Sequence, residues 1–455
     1  MKVHFISIGG SVMHQLAIAL AKKGYRVTGS DDEIFEPSRG NLLSMGLLPN
    51  RLGWFEENIT SDLDAVLLGM HARNDNPELV KARELNLPVY SFPEYIFRES
   101  MGKKRVVIGG SHGKTTTTSM IMHALKEAGQ HFDFLVGARL PGFENSVSVT
   151  DAPLIVCEGD EYPASAIEKH PKFHFLHPHI AVLTGIAWDH INVFPTFEIY
   201  LEQFRIFLDK MEPNGQLIYN EDDEILKQLV IEHPRKDLER KGYGIPEHRV
   251  DGNITWLCIN GQEAPLKVFG DHNLLNIQAA WLVCEQLGME AGQFVQAMSS
   301  FTGASRRLEK LAENDSRVVF RDFAHAPSKV KATMHAVKQQ FPLRKVAAVL
   351  ELHTYSSLNE AFMPHYAGAL HGADAACVFY SPHAMEIKKM PPLSKHAIQE
   401  GFNMDALTVC TSRQELEAWI GSRSASNENL LLMSSGSYDG MDVQAIADQW
   451  IHMDK

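Results

Sequence analysis

The chain has 455 residues, of which 44% are hydrophobic and 22% are charged, as is ordinary for a globular protein of about two to four domains. Its formal net charge of -13 argues against a nucleic-acid-binding protein, whose affinity would depend on clustered lysines and arginines. The five cysteines are widely spaced and include no C-x-x-C pair, so we expect neither disulfides nor a zinc site. The sequence shows no signal peptide and no apolar run of membrane-spanning length, so we expect a cytoplasmic protein without a membrane anchor.

The N-terminal stretch predicts a β-α-β unit typical of nucleotide-binding domains. It consists, in order, of strand Val3–Ile8, a turn at Gly9, Gly10 and Ser11, helix Met13–Lys23 and strand Tyr25–Thr28. The dinucleotide fingerprint G-x-G-x-x-G is incomplete, because Ser7 and Val12 stand where it needs glycines. Asp31 nevertheless lies at about the 20-residue offset expected of a ribose contact.

The stretch from Arg105 to Met120, RVVIGGSHGKTTTTSM, predicts a strand, a glycine loop and a helix. Backbone N–H groups of such a loop and the N-terminus of the following helix attract phosphate. Lys114 can then reach the β- and γ-phosphates, and the Thr115 hydroxyl can ligate Mg²⁺. The loop is a short variant of the usual G-x-x-x-x-G-K-[ST] motif, since Ile108 stands where that motif has its first glycine.

Acidic residues and a histidine follow the next two buried strands, Leu154–Cys157 and Ile180–Thr184. They are Glu158, Asp160 and Glu161 after the first strand, and Asp189 and His190 beyond the second. Ligands of open α/β sheets collect at the carboxyl ends of strands, so we expect these groups to meet the phosphate loop at one edge. Carboxylates there suit Mg²⁺, with Glu158 the first candidate, whereas His190 fits a metal ligand and a core histidine equally well.

The spacing of His170, His174, His177 and His179 suggests a metal site, but no cysteine or second cluster accompanies them, and we interpret them as structural or surface residues. Farther on, a helix is predicted over Asn273–Gln286. Asn273 and Asn276 could bind a base edge or merely cap this helix. Arg307 could clamp a phosphoryl group or lie in a solvated basic turn.

From about Gly303, predicted strands alternate with helices, which indicates another doubly wound sheet. The strands are Arg317–Phe320, Lys345–Leu350, Ala375–Phe379, Leu407–Cys410 and Asn429–Met433. The fold class is therefore α/β: an N-terminal Rossmann-like domain, a central P-loop-type sheet and a C-terminal Rossmann-like domain.

Six motifs occur in order along nearly the whole chain: S-H-G-K-T-T-T, E-G-D-E-Y, D-H, G-D-H-N-L-L-N-I-Q-A-A, S-R-R-L-E and R-D-F-A-H-A-P. Together they resemble the ATP-dependent Mur ligases of peptidoglycan metabolism. The resemblance implies three domains: residues 1–101 for a UDP-sugar, 102–302 for ATP, and 303–455 for the amine substrate. It also implies ATP and Mg²⁺ as cofactors, roles in cell-wall biogenesis, cell shape and division, and no obligate protein partner.

The resemblance also assigns roles to single residues. It implies that Lys114 and Thr115 hold phosphate and Mg²⁺, that Glu158 and His190 ligate magnesium, and that Lys114, His190 and Arg307 are catalytic. Its nucleotide site comprises Gly110, Ser111, His112, Gly113, Lys114, Thr115, Thr116, His272, Asn273, Asn276, Arg307 and Asp322, with His325 nearby. Its UDP-sugar site comprises Gly9, Gly10, Ser11, Ser30 and Asp31.

Within the family, H-F-I-S-I-G-G and T-G-S-D resemble the branch that uses UDP-N-acetylmuramate. E-G-D-E-Y and the segment 168–173 are similar to the members that add the tripeptide L-alanyl-γ-D-glutamyl-meso-diaminopimelate during peptidoglycan recycling. The alternatives are a ligase that adds L-alanine, a non-catalytic nucleotide-binding regulator and a small-molecule kinase. The chain departs from the family pattern at three places: Gly185 stands where asparagine is usual, Arg321 where aspartate is common, and Leu352–Thr354 where the tripeptide-adding members have an arginine. The sequence does not identify the general base that must deprotonate the amine.

Overall fold

The computed structural model describes residues 1–70, 72–138, 140–188, 193–251, 254–304, 307–404, 406–423 and 427–452. The chain forms two compact units. The first consists of Met1–Ile186, Phe197–Gly244 and Asn276–Ala297, and the second of Ala187–Thr196, Ile245–Leu275 and Met298–Lys455. The predicted boundaries near residues 102 and 303 stay a prediction.

The first unit begins with a parallel four-stranded sheet of order β2-β1-β3-β4. Its strands are β1 (Lys2–Ile6), β2 (Arg26–Ser30), β3 (Ala65–Leu68) and β4 (Val89–Ser91), and its helices are α1 (Met13–Lys22), α2 (Ser38–Ser44), α3 (Pro77–Glu84) and α4 (Phe92–Glu99). The N-terminal β-α-β unit expected from the sequence is present. All residues from Met13 to Leu20 of α1 are buried, so this helix packs along most of its surface.

The first unit also contains a seven-stranded sheet of order β11-β10-β9-β5-β8-β6-β7, parallel except for β7. Its strands are β5 (Lys104–Gly109), β6 (Asp133–Leu135), β7 (Val147–Ser148), β8 (Leu154–Glu158), β9 (Ile180–Leu183), β10 (Gln216–Asn220) and β11 (Glu239–Tyr243). The helices are α5 (Lys114–Glu127), α6 (Phe197–Asp209), α7 (Glu224–Glu232), α8 (Asp271–Gln286), which the unit boundary divides, and α9 (Ala291–Ser300).

The register of the central strands places the predicted loop and carboxylate at one edge of that sheet. Ile108 of β5 pairs with Glu158 of β8, and Gly109 pairs with Leu183 of β9. All three strands are parallel and end at the same level, so the residues that follow them share one edge. The predicted meeting of the phosphate loop and the acidic segment is confirmed.

The second unit contains an antiparallel sheet of β12 (His248–Asp251), β13 (Ile254–Ile259) and β14 (Gln262–Pro265), and a six-stranded sheet of order β15-β16-β20-β17-β18-β19. The larger sheet comprises β15 (Glu309–Glu313), β16 (Val318–Asp322), β17 (Lys345–Glu351), β18 (Ala375–Phe379), β19 (Thr408–Cys410) and β20 (Glu428–Met433). Its helices are α10 (Pro327–Gln340), α11 (Pro382–Ile387), α12 (Lys395–Phe402), α13 (Arg413–Gly421) and α14 (Val443–His452).

Helices cover both faces of this C-terminal sheet. Along β17, Val346, Ala348 and Leu350 pack into one buried cluster, whereas Ala347 and Val349 pack into another on the opposite face. Successive side chains of a strand point to opposite faces, so two separate cores form. The doubly wound fold predicted for this part of the chain is confirmed.

Candidate nucleotide and substrate site

Two glycines of the phosphate loop are required by its backbone. Gly110 has φ of 122° and Gly113, the residue before α5, has φ of 79°, both in the left-handed region. A Cβ atom at Gly110 would collide with the Thr184 hydroxyl, and one at Gly113 would collide with the Asn276 side chain. Only glycine fits both the torsion and the space at these positions.

Residues that directly follow β9 form hydrogen bonds with this loop. The Thr184 hydroxyl donates to the His112 carbonyl, and the Ser111 amide donates to the Gly185 carbonyl at 2.9 Å. The Ser111 hydroxyl also lies 2.7 Å from the Tyr200 hydroxyl of α6. The loop is therefore held in shape before any nucleotide arrives.

Lys114 forms a buried ion pair at the start of α5. Its ammonium donates to the Gly110 carbonyl and to Glu161 Oε2, each at 2.6 Å, and Glu161 is 1% exposed. Burial by itself lowers the pKa of Lys114, but the charges of Glu161 and Asp160 outweigh it and raise that pKa. Lys114 therefore stays cationic, as a phosphate-binding lysine must.

Oxygen donors suited to magnesium lie next to this ion pair. The Thr115 hydroxyl donates to Glu158 Oε1 at 2.8 Å, and the Gly137 amide donates to Glu158 Oε2 at 2.8 Å. Thr116, the next residue of α5, is buried. No group of three or more His, Cys, Asp or Glu side chains able to hold a metal occurs among the described residues. One carboxylate and one hydroxyl fit Mg²⁺, which usually keeps several waters and substrate phosphates as ligands.

Two further predictions concern histidines. Asp189 and His190 fall outside the described residues, so the predicted ligand role of His190 remains a prediction. The four histidines from 170 to 179 make separate contacts, in agreement with a structural role. His174, for example, is buried against the Gln203 carbonyl at 2.8 Å, and burial lowers its pKa to about 4.

The residues predicted to border the nucleotide base and ribose fall in both units. In the first unit, Asn276 Oδ1 accepts the Thr117 hydroxyl at 3.2 Å and lies against Gly113. In the second, Asn273 Nδ2 donates to the Phe269 carbonyl at 2.8 Å. Burial lowers the pKa of His272, and the charge of nearby Asp322 opposes that shift.

Asp322, at the end of β16, holds neighbouring backbone in place. Its Oδ2 accepts the Leu308 amide at 2.5 Å and its Oδ1 accepts the Ala324 amide at 2.7 Å. The guanidinium of Arg307 lies 4.8 Å from the centre of the Phe323 ring, and His325 Nδ1 lies 2.9 Å from the Phe323 carbonyl. The structure thus brings Arg307, Asp322 and His325 together at one end of the C-terminal sheet.

At the N-terminal turn, Asp31 and Ser30 have internal partners. The carboxylate of Asp31 is fully buried and accepts the Gly9 amide at 2.7 Å. The Ser30 hydroxyl donates to Glu78 Oε1 at 2.6 Å, while Ser11 is exposed and Gly10 lies beside Met13. The Asp31 carboxylate therefore shapes the turn, a role that the sequence did not predict, whereas the Ser30–Glu78 bond joins β2 to α3.

A cavity of about 70 Å³ extends from Val12, next to the N-terminal turn, to Glu158, the candidate magnesium ligand. It is lined by Val12, Phe92, Pro93, Leu135, Val136, Gly137, Glu158, Asp160, Lys172 and Leu176. Lys172 Nζ lies 2.5 Å from Asp160 Oδ2 and 5.8 Å from the centre of the Phe92 ring. A role for Lys172 itself was not predictable from the sequence, because its contacts with Asp160 and Phe92 come from two other segments of the chain.

Comparison with known proteins identifies the family. Profiles of the Mur ligase family match the chain in three consecutive segments: the catalytic domain at residues 2–98, the middle domain at 108–284 and the glutamate ligase domain at 306–436. The UDP-N-acetylmuramate–L-alanine ligase of Carboxydothermus hydrogenoformans is 31% identical over 408 residues, covering 88% of this chain and 85% of that protein. The chain belongs to the Mur ligase family.

Solved structures of this family share the fold. The UDP-N-acetylmuramate–alanine ligase of Thermotoga maritima aligns with a TM-score of 0.68 at 22% identity, over 99% of this chain and 98% of that one. A murein peptide ligase of Psychrobacter arcticus aligns with a TM-score of 0.64 at 20% identity, over 100% and 98%. These likenesses confirm the predicted three-domain α/β fold.

Mur ligases are ATP-dependent enzymes that form an amide C–N bond, and this chain is therefore an ATP-dependent amide ligase. The predicted family and enzyme class are confirmed, and the alternative of a non-catalytic regulator is set aside. Within the part of the chain that the structure describes, no helix is long and apolar enough to cross a membrane.

Proposed function

We propose that this ligase joins an amine to the lactyl carboxylate of UDP-N-acetylmuramate, and that the amine is the tripeptide L-alanyl-γ-D-glutamyl-meso-diaminopimelate of peptidoglycan recycling. The carboxylate attacks the γ-phosphate of ATP, which gives an acyl phosphate and ADP. The amine then displaces phosphate through a tetrahedral intermediate. The juxtaposition of a phosphate loop, Glu158 and the cavity at one sheet edge supports this chemistry.

Negative charge accumulates in both steps, so fixed cations and N–H groups should dominate catalysis. Lys114 would exchange Glu161 for the β- and γ-phosphates, and Arg307 would meet the γ-phosphate. Thr115 and Glu158 would hold Mg²⁺, which when bound neutralises phosphate charge. Gly110 to Gly113 would surround the phosphates with backbone amides.

The sugar would occupy the side of the first unit that the N-terminal turn and the cavity share. A substrate carboxylate there needs a cation, and Lys172 is a partly buried ammonium whose partner in the ligand-free chain is Asp160. We expect Lys172→Met to raise the KM for UDP-N-acetylmuramate about tenfold, as losing about 1.4 kcal/mol of binding would. The exposed Lys169, three residues earlier, provides the control. Equal KM values for Lys172→Met and Lys169→Met would remove Lys172 from the sugar site.

The segment 168–173 is the reason for proposing the tripeptide as the amine. Its sequence is similar to that of the tripeptide-adding members of the family. A tripeptide has several carboxylates, and a site built to pair them leaves its own donors unpaired when offered a small amino acid.

L-alanine is the second candidate for the amine. Relatives that are 30–33% identical over most of this chain carry the name UDP-N-acetylmuramate–L-alanine ligase, among them one from Arthrobacter sp. strain FB24 at 33% identity over 83% of this chain and 80% of that protein. Comparing kcat/KM for the tripeptide and L-alanine at saturating ATP and sugar decides between them. We expect a preference for the tripeptide beyond roughly 200-fold, the upper range available from one methylene in an apolar pocket. A preference for L-alanine would reassign the enzyme to biosynthesis.

A further inference from the structure

Two cysteine side chains meet in the core of the C-terminal sheet. Cys377 lies in β18, and Cys410 is the last residue of the neighbouring strand β19. Cys410 pairs with Phe379, two residues beyond Cys377, and side chains two residues apart on a strand point to the same face. Both cysteines therefore belong to one buried cluster, in which Cys377 is 0% and Cys410 is 3% exposed.

The sulfur atoms of this pair are in direct contact. Cys377 Sγ donates to Cys410 Sγ at 3.4 Å. An S–S bond would bring the two atoms about 1.4 Å closer together. Neither strand has to change its register for this, because both side chains already lie on the same face of the sheet.

The hydrogen bond makes the two thiols chemically unequal. Donation from Cys377 lowers the pKa of the Cys410 thiol; burial and the charge of Glu415 oppose this shift, the ammonium of Lys395 supports it, and the net shift is downward. The same hydrogen bond, together with burial, raises the pKa of Cys377. Because the thiolate is the nucleophilic form of cysteine, Cys410 is the thiol that reacts first, and Cys377 is placed to attack the product.

The position of Cys410 gives a small oxidant a route to this pair. β19 has three residues and is the last strand in the order of the six-stranded sheet, where it pairs with β18. Short edge strands open locally more easily than central strands. Glu415, which is about half exposed, accepts the amide of Thr411 at 2.7 Å, so the protein surface begins one residue beyond Cys410.

We propose that Cys377 and Cys410 are a redox pair that a peroxide converts to a disulfide, and that this disulfide braces the edge strand β19. The Cys410 thiolate attacks one peroxide oxygen, the O–O bond breaks, and the departing hydroxide takes up the Cys410 proton as water, which leaves a sulfenic acid. The Cys377 sulfur then attacks the Cys410 sulfur, the S–O bond breaks, and a second water leaves with the Cys377 proton. The two thiols lose two electrons, which reduce the peroxide to two molecules of water.

The other three cysteines provide internal comparisons. Burial raises the pKa of Cys157 to about 12 and also raises the pKa of Cys284, so we expect both to stay protonated and unreactive. Cys258 of β13 is half-buried and is therefore the accessible thiol against which the oxidant dose can be set.

Peptide mapping of the full-length protein tests the pair directly. After treatment with hydrogen peroxide and then denaturation, iodoacetamide labels the thiols that remain. We expect one pair of linked peptides, containing Cys377 and Cys410, and we expect dithiothreitol to restore the labelling of both. Cys258→Ser should leave this link unchanged, whereas Cys410→Ala should leave Cys377 free for labelling.

Thermal unfolding provides a second readout. Peroxide should raise the melting temperature of the C-terminal sheet in the wild type, because a bond between residues 33 positions apart restricts the unfolded chain. Cys410→Ala should show no such peroxide-dependent rise, and Cys258→Ser should show the same rise as the wild type.

Full labelling of Cys377 and Cys410 at a peroxide dose that oxidises Cys258 would overturn the redox pair. So would a sulfinic acid at Cys410 beside a free Cys377 thiol, because Cys377 would then fail to attack the sulfenic acid. A disulfide that left the melting temperature unchanged would overturn the bracing of β19. None of these measurements uses ATP, sugar or amine, so their outcome is independent of the proposed reaction.

Discussion

Lys114 and Glu161 are coupled, because the cation that is to bind phosphate neutralises a buried carboxylate while no nucleotide is present. Removing only the cation leaves Glu161 charged and buried without its ammonium partner, a change that typically costs about 3–5 kcal/mol. We expect Lys114→Met to lower the stability of the first unit by about 3 kcal/mol. The double variant Lys114→Met/Glu161→Gln should recover most of the lost stability, and thermal unfolding of the single and double variants measures the difference.

Both variants should lose about 10²–10³ in kcat, because both lack the phosphate-binding cation. If the double variant were as unstable as the single one, the ion pair would not explain the loss. If either kept wild-type turnover, Lys114 would not be catalytic.

The loop glycines allow a second test at the residue scale. Ala at Gly113 must adopt a left-handed torsion, at about 1–2 kcal/mol, and displace Asn276. We therefore expect Gly113→Ala to weaken ATP binding and to lower the melting temperature. Gly102, which has open space around its Cβ position and no left-handed torsion, provides the control. Similar ATP affinities for Gly113→Ala and Gly102→Ala would show that the loop tolerates the change.

The sequence predicts the position of a residue when that position follows from the strand or helix next to it in the chain. Lys114, Thr115 and Glu158 could be placed together because strand ends of a parallel sheet share an edge. Partners distant in sequence were not predictable: Thr184 lies 72 residues from His112, and Tyr200 lies 89 residues from Ser111. Asp31 shows the same limit, because its offset from the turn is visible in the sequence but its bond to the Gly9 amide is not.

At the scale of elements, hydrophobic periodicity located the buried strands that it predicted to within about two residues, but it predicted no strand at β6, β7, β10 or β15. The apolar stretch Val89 to Phe92 likewise predicts a strand, but Phe92 instead begins α4. Ser91 and Glu94 form a capping box there, with the Ser91 amide donating to Glu94 at 2.7 Å. The signal S-x-x-E was present in the sequence and would have corrected the boundary.

A buried polar network connects β1, β2 and α3 and should make the N-terminal sheet sensitive to acid. Glu78 lies 3.2 Å from His4 Nε2 and accepts the Ser30 hydroxyl. Burial raises the pKa of Glu78, but the bonds from His4 and from the Phe55 amide outweigh it, and the net shift is downward from 4.5. The network's contribution to stability is therefore complete above pH 4.5 and is lost as the pH falls through the folded-state pKa.

We expect the melting temperature to fall more steeply in this acidic range for the wild type than for Glu78→Gln, which has no carboxyl group to titrate there. Differential scanning calorimetry from pH 6 down to about pH 3 measures both slopes. Parallel slopes would mean that other carboxylates govern acid unfolding of this domain.

At the scale of the whole molecule, the proposed reaction uses three substrates, and ATP cleavage should depend on the carboxylate. The γ-phosphate has no acceptor other than water until the sugar is bound, so we expect ADP release near background with ATP alone and with ATP plus amine. With sugar added, one ADP should appear for each amide formed, because the acyl phosphate is consumed only by the amine. A coupled ADP assay, read alongside product quantification, tests this stoichiometry. Rapid ADP release without sugar would show that this chain hydrolyses ATP independently of ligation, and a ratio well above one would show that water reaches the acyl phosphate before the amine does.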